Sequence, residues 1–392
     1  MAGRTSLAYF GADDVMLVGN PEMTYFIEKY AAPIPFAKRL EIITFDTNVL
    51  FGAEAKVQIP KRGNMISNLY LKFTTPPQGS IPSSLCDSVM TYMIDYVELY
   101  FGGQMVERLY GEYIEMMNDL KTPQGKQATL QYLVGKVYPS TSGPINAEYT
   151  FPLPFTCLRK GLEIDSTYIE FRMILKNSAL FTIPAFKYTL PLNIQVLVEY
   201  VYFTETLKRT IQVYEQVQRI EFFVPQGVNN VRLQLGLMNP VKELFIVIQN
   251  TGAFGYDYTT DGFFSPDGTV YTNGSTEQLS NLVLKFNNVE RISKDIGIPI
   301  YLRAIQAMEY HTRVPDRNFY MYSFSLDPEN VLPTGQVNMS RIENQILELT
   351  MNPSTSSRFI RLYAVNYNFF QNGKVLFPNE EDAGDLRIFT GN

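Results

Sequence analysis

Three short stretches of the chain occur twice, in the same order. "ISNLYL" (66–71) is echoed by "VKELFI" (241–246), "LYFGGQMVER" (99–108) by "LKFNNVER" (284–291), and "VEYVYF" (198–203) by "VNYNFF" (365–370). The offsets, roughly 165 to 185 residues, match a domain and not a solenoid repeat. A chain of 392 residues that repeats itself on this scale is held to two similar modules, the number its length already favours. In the middle pair, a strand and a two-residue turn lead into Val-Glu-Arg. Gly102-Gly103 and Asn287-Asn288 both suit the positive φ of a tight hairpin, so equivalent turns are expected there. The division expected is an N-terminal arm over 1–30, a first module over 31–204, a connector over 205–218 and a second module over 219–392.

Hydrophobic patterning gives the class of each module. Met65, Leu69, Leu71 and Phe73 share one face of an extended chain, as do Ile169, Phe171, Met173 and Leu175, with Glu170 and Arg172 on the other. Ile194, Val196, Val198, Tyr200 and Tyr202 continue this period of two, the mark of half-buried strands. Helical periodicity is confined to "YGEYIEMMNDL" (110–120) and "LKRTIQVYEQV" (207–217) as candidates. The 23 prolines and 25 glycines fall mostly between strand-like runs. The fold class is all-β with few short helices, a sandwich or barrel. The stretch 251–280, rich in Gly, Asp, Thr and Tyr, reads as a surface excursion.

Composition excludes several functions. A net charge of −6 argues against coating a genome, which needs a basic surface. No run of about 18 uncharged apolar residues exists, so no membrane span is expected. Asp13 and Asp14 interrupt any signal-peptide core. Cys86 and Cys157 make no disulfide framework and read as inert buried thiols. His311 is the only histidine, which removes histidine triads and multi-histidine metal sites and leaves it a structural role. "PQGKQ" (123–127) lacks most of a phosphate loop. Asp257, Asp261 and Asp267 miss the calcium-loop spacing and read as turn residues. Asn273 and Asn338 lie in Asn-X-Ser sequons, for which no secretory route is expected. Glu380, Glu381 and Asp382 read as a solvated tail. No catalytic, cofactor-binding or metal-ligating set is expected.

The segment "FYMYSFSLDPENVLPTGQVNMSRIENQILEL" (319–349) carries more specific information. Tyr320, Tyr322, Phe324 and Leu326 alternate onto one side of a strand, and a connection built from turn formers follows. Tyr320, Tyr322, Ser323, Phe324, Pro328, Glu329, Pro333, Gly335, Asn338, Ser340, Arg341, Ile342 and Asn344 match a signature of the major capsid proteins of nucleocytoplasmic large DNA viruses and their polinton-like relatives. "GNPEMTYF" (19–26), "VQIPKRGNMISNLYL" (57–71), "VELYFGGQMVERLYG" (97–111), "NPVKELFIVIQ" (239–249), "YHTRVP" (310–315) and "RLYAVNYN" (361–368) are similar to further family segments, in order. The chain departs from the family at "AAPIP" (31–35) and around "CLRKGLEIDS" (157–166).

The resemblance implies two consecutive eight-stranded jelly rolls (a double jelly roll), and three chains forming a pseudo-hexagonal capsomer that tiles an icosahedral shell. It implies a structural protein of the virion, assembled inside the infected cell. Its partners would be itself, neighbouring capsomers, and minor and penton capsid proteins. The N-terminal arm, with Gly19, Asn20, Pro21 and Phe26, would meet other shell components. Pro328, Pro333, Gly335, Asn338, Ser340 and Arg341 would form a structural corner, prolines limiting the turn and Asn338 and Ser340 bonding backbone that leaves the ladder. Two rivals stay open: a two-domain β-sandwich that binds glycans through the aromatic loop 251–280, and a minor or penton subunit.

Overall fold

Strands β1 (Phe36–Thr44), β2 (Glu54–Ile59), β3 (Met65–Thr74), β4 (Ile94–Phe101), β5 (Gln104–Tyr110), β6 (Glu148–Leu153), β7 (Ile169–Leu175) and β8 (Asn193–Phe203) form a first set. The second comprises β9 (Gln212–Val224), β10 (Asn230–Gln234), β11 (Pro240–Asn250), β12 (Leu279–Phe286), β13 (Val289–Ile292), β14 (Tyr320–Ser323), β15 (Gln345–Met351) and β16 (Arg358–Gln371). They come from a computed structural model, which describes residues 34–76, 84–136, 148–159, 161–163, 168–183, 185–204, 212–260, 277–330, 332–371 and 374–375. By contact the chain divides into Met1–Phe36 and Ala37–Asn392.

The first set pairs in the spatial orders β1-β8-β3-β6 and β2-β7-β4-β5. The second set pairs as β9-β16-β11-β14 and β10-β15-β12-β13. Adding eight to each strand of the first set reproduces the second. Leu71, Phe151 and Val196 from one sheet share a core with Val57, Leu99 and Phe171 from the other, and Ile246 and Leu362 meet Leu284 and Leu347 likewise. Each set places eight main strands in two sheets closed on one core, an eight-stranded jelly roll, with two-residue strands added to the sheets of β1 and β9. The protein is a double jelly roll.

The duplication reaches the irregularities. Ser67 is an extra residue where β3 pairs with β8, and Lys242 is the extra residue where β11 pairs with β16. These two positions align through the first echo. Asp95 and Ser280 are likewise skipped at the starts of β4 and β12. The turns Gly102-Gly103 and Asn287-Asn288 join equivalent strands, all four residues with positive φ.

Two echoes are slipped in register. Phe101 pairs with Gln104 and Phe286 with Val289, so Val289 is equivalent to Gln104 and Val-Glu-Arg is displaced by two. Val198 pairs with Leu69 and Ala364 with Leu244, which displaces the last echo by one. The bulge at Ser67 also turns Ile66 into the core in place of Met65, because an extra residue reverses the faces.

Helix α1 (Gly111–Lys121) begins directly after β5, where the 110–120 periodicity predicts it, and α2 (Gln127–Val134) follows. In the second roll, a π-helical stretch Ile300–Ile305 runs into α3 (Gln306–Tyr310). The second helical expectation, 207–217, is not met from Gln212 onward, which is strand β9 paired along its length with β16. Among the described residues no helix is long and apolar enough to cross a membrane.

Candidate functional site: the seam between the rolls

The most chemically concentrated region lies where the first roll meets the outer face of the β9-β16-β11-β14 sheet. Glu112, Glu115 and Asp119 stand at i, i+3 and i+7 on α1, hence on one helical face. Three arginines of the second roll meet them. Arg361 of β16 grips Glu112 with two bonds, Nε to Oε2 at 2.7 Å and Nη2 to Oε1 at 2.8 Å. Arg317 donates to Glu115 at 2.9 Å and also reaches Asp87. Arg313 donates to Asp119 at 2.8 Å, and the Asp316 amide donates to the same carboxylate at 2.9 Å. All three carboxylates are buried. The Arg361–Glu112 pair is bidentate, the geometry that best offsets the loss of hydration that burial imposes.

Aromatic rings fill the space between these pairs. Tyr113 of α1 packs on Phe245 and Tyr363, while Tyr256 packs edge-on to Tyr92. The hydroxyls of Tyr258 and Tyr363 donate to Glu112. Burial alone would raise the Glu112 carboxyl, but the Arg361 guanidinium and the Tyr363 hydroxyl hold it down at about 2.

A second polar group lies along β9 and β11. Glu107 of β5 accepts from the Thr156 and Cys157 amides at 2.9 and 3.0 Å. Thr156 in turn exchanges bonds with the backbone of Glu215. Burial still leaves Glu107 raised to about 7. The bulged Lys242 donates to Glu215 at 2.5 Å and to the Pro328 carbonyl at 2.6 Å. His311 sits between Glu243 (2.5 Å) and Glu329 (3.2 Å). Burial works against its charge, yet the two carboxylates raise it to about 9.

The residues of the 328–341 corner are held mostly by local bonds. Thr334 Oγ1 accepts from the Asp327 amide at 2.9 Å and donates to its carbonyl at 3.0 Å. Ser340 Oγ accepts from the Asn239 amide at 2.8 Å, and the Asn338 side chain accepts from Ser340 N. Gly335 lies against Phe324, whose carbonyl an added Cβ would meet at 2.8 Å. Pro328 is buried, while Pro333 and Arg341 are exposed. Leu326 is exposed too, so the alternation that begins at Tyr320 ends at Phe324. Through Pro328 and Glu329 the corner touches the seam, a link its turn residues do not announce.

The stretch 251–280 departs from the surface excursion expected. Of its described parts, 277–280 leads into β12, and 251–260 turns inward: Tyr256, Asp257, Tyr258 and Thr259 are buried. Two tyrosines bury their rings against the first roll, and the Asp257 carboxylate accepts from the Thr259 amide and hydroxyl. Asp261, Asp267, Asn273, Glu380, Glu381 and Asp382 lie outside the described residues, as do Gly19, Asn20, Pro21 and Phe26. Cys86 and Cys157 are buried, which raises both thiols. Among the described residues no group of three His, Cys, Asp or Glu side chains could hold a metal ion. The seam joins two surfaces of the chain through these pairs.

Comparison with known proteins agrees with this architecture. The family model described as large eukaryotic DNA virus major capsid protein matches residues 202–374, and that of the major capsid protein N-terminus matches residues 24–165. The major capsid protein of Pyramimonas orientalis virus is 26% identical over 383 residues, covering 93% of this chain and 96% of its own. That of Paramecium bursaria Chlorella virus 1 is 23% identical over 429 residues, with the same coverage. Among solved structures, the PBCV-1 virus capsid gives a TM-score of 0.77 at 19% identity, covering 91% of this chain and 100% of that one. The Faustovirus major capsid protein gives 0.69 at 13% identity, covering 94% and 96%. With both rolls matched and no enzyme among these relatives, the chain belongs to the major capsid proteins of large eukaryotic DNA viruses, structural proteins of the virion shell.

Proposed function

We propose that three copies of the chain form a capsomer of six jelly rolls, and that such capsomers tile the facets of an icosahedral shell. The observation that carries this reading is the matched strand order of the two rolls. Two similar outlines in one chain allow a three-fold ring to approximate six-fold symmetry. Cyclic closure of three identical chains repeats one heterologous interface. The first roll spans 31–204; the second, expected over 219–392, already takes in β9 from Gln212, so the connector shortens from 205–218 to 205–211. The arm over 1–30, with Gly19, Asn20, Pro21 and Phe26, contacts other shell components. Pro328, Pro333, Gly335, Asn338, Ser340 and Arg341 act as a structural corner, and minor and penton capsid proteins are further partners.

Light scattering on the native particle tests the reading. Three chains of 44.8 kDa give about 134 kDa for the closed ring. A monodisperse monomer or a dimer at high concentration overturns it.

A further inference from the structure

In this chain, the outer face of the second roll's β9-β16-β11-β14 sheet is covered by the segment that follows β5 in the first roll. That segment starts at Gly111, pressed so close to the chain that enters β4 that an added Cβ would lie 2.2 Å from the Thr91 carbonyl and 2.3 Å from that of Ile94. The equivalent segment of the second roll follows β13. It too is pinned by a glycine: a Cβ on Gly297 would lie 1.8 Å from the Leu282 carbonyl of β12. Beyond this shared device the two segments differ. Apart from Lys121, α1 is buried along nearly its whole length. The second segment presents Ile296, Ile298, Ile300 (63% exposed) and Met308 (71% exposed).

The sheet equivalent to the covered one is β1-β8-β3-β6 of the first roll. Its edge strand β1 turns Ile43 towards the core. The two-residue period therefore puts Leu40 and Ile42 on the outer face, where they are 52% and 58% exposed. Lys38 shares that face and reaches Glu199 on β8 at 3.2 Å. A single chain already uses its first-roll segment and its second-roll sheet against each other. The complementary pair, second-roll segment and first-roll sheet, is left over.

We propose that the apolar stripe Ile296, Ile298, Ile300 and Met308 docks on the outer face of the β1-β8-β3-β6 sheet of a second copy of this chain, against Leu40 and Ile42. The contact repeats between chains the arrangement that the seam makes within one. The proposal rests on the trimer reading above and names the two surfaces that would close the ring. Because the surfaces differ, the contact is heterologous and propagates head to tail.

The test uses two full-length variants, Ile300→Asp with Met308→Asp, and Leu40→Asp with Ile42→Asp. Thermal melting checks that each is folded, and Ile300→Ser and Leu40→Ser replace any variant that is not. By light scattering each variant alone should fall from about 134 kDa to about 45 kDa, since every interface needs both surfaces. An equimolar mixture should give a capped dimer of about 90 kDa, because each variant keeps the surface the other lacks. Variants that stay trimeric overturn the assignment and leave the trimer standing. Monomeric variants whose mixture yields no dimer overturn the pairing of these two surfaces. A wild-type monomer overturns the trimer reading itself.

Discussion

Strands β3 and β11 occupy the same place in their rolls, share a bulge, and bury different amounts of themselves. On β3, Leu69, Leu71 and Phe73 enter the core while Tyr70 and Lys72 are half-exposed. On β11, Leu244, Ile246 and Ile248 enter the second core while Phe245 and Val247, equivalent to Tyr70 and Lys72, join the cluster of the first roll. The inner faces agree because both close a sandwich. The outer faces differ because one sheet carries the seam. A strand wetted on one side alternates, and a strand buried on both sides becomes a continuous apolar run, as in "LFIVI" (244–248).

The largest test of this contrast breaks the seam at Arg361. Arg361→Ala leaves Glu112 buried without its guanidinium, and losing one partner of a buried pair costs about 3–5 kcal/mol. Lys72→Ala, on the equivalent outer face of the first roll, removes a partly exposed pair with Glu148 and should cost about 1 kcal/mol or less. Urea unfolding of the two variants measures the difference. Equal losses would mean that the seam does not distinguish the sheets.

A somewhat smaller effect is expected at His311. Hydrogen bonds to charged groups contribute about 1.5–3 kcal/mol, so His311→Gln should lower stability by that order at pH 6. The folded pKa of about 9 lies above the ordinary 6.5. The contribution of the charged ring is therefore complete below 6.5 and is lost as pH rises through 9. Urea midpoints of wild type and variant should converge between pH 7 and 10. On the acid side, Glu112 and Glu329 are both held at about 2, against burial, by Arg361 and by His311. Their contribution exists above 4.5 and disappears as pH falls towards 2, so Arg361→Ala should flatten the acid limb of the wild-type profile. A gap between wild type and His311→Gln that stays constant to pH 10 would remove the charged histidine from the seam.

The presence of several strands was legible because alternation survives wherever one face is wet, as along β7 and β8, whereas their spatial order was not. The duplication was legible through short echoes, although two were slipped, since identical side chains do not fix register across a bulge. The seam was not legible. Glu112, Glu115 and Asp119 look like the solvated side of an amphipathic helix, and only their spacing of three and four marks a common face. Their arginine partners lie roughly 190 to 250 residues away, a separation no local pattern encodes. Strand β9 was misread as helical for a related reason. Glu215 and Gln216 are buried there, so polarity no longer reports which residues face water. Tyr256 and Tyr258 misled likewise, since their polar neighbours suggested a loop and their rings required a partner.

The smallest expected effect concerns the paired turns, where the rolls solve one problem with different residues. Gly102 and Gly103 adopt φ of 61° and 81°, and Asn287 and Asn288 adopt 48° and 67°. Glycine reaches this region without a Cβ penalty, whereas asparagine reaches it at a modest one. Asn288 is exposed, so Asn288→Gly should relieve that penalty and shift stability by about 0.5 kcal/mol or less, upward. Asn287 is different. Its side chain accepts from the Asn344 amide at 3.0 Å, and its own amide donates to the Asn344 carbonyl at 2.8 Å. Asn287→Gly keeps the backbone bond and loses the side-chain one, so about 1 kcal/mol of hydrogen bonding outweighs the relief and stability falls slightly. In the first roll a Cβ on Gly103 would meet nothing within 4 Å, so Gly103→Asn should cost only the intrinsic difference, a few tenths of a kcal/mol. Thermal midpoints of the three variants under one buffer give the order Asn288→Gly above wild type, then Gly103→Asn, then Asn287→Gly. If Asn287→Gly were instead the most stable of the three, the bond to Asn344 would contribute nothing, and the asparagine pair would be a tolerated drift from glycine in place of a second solution to the same turn.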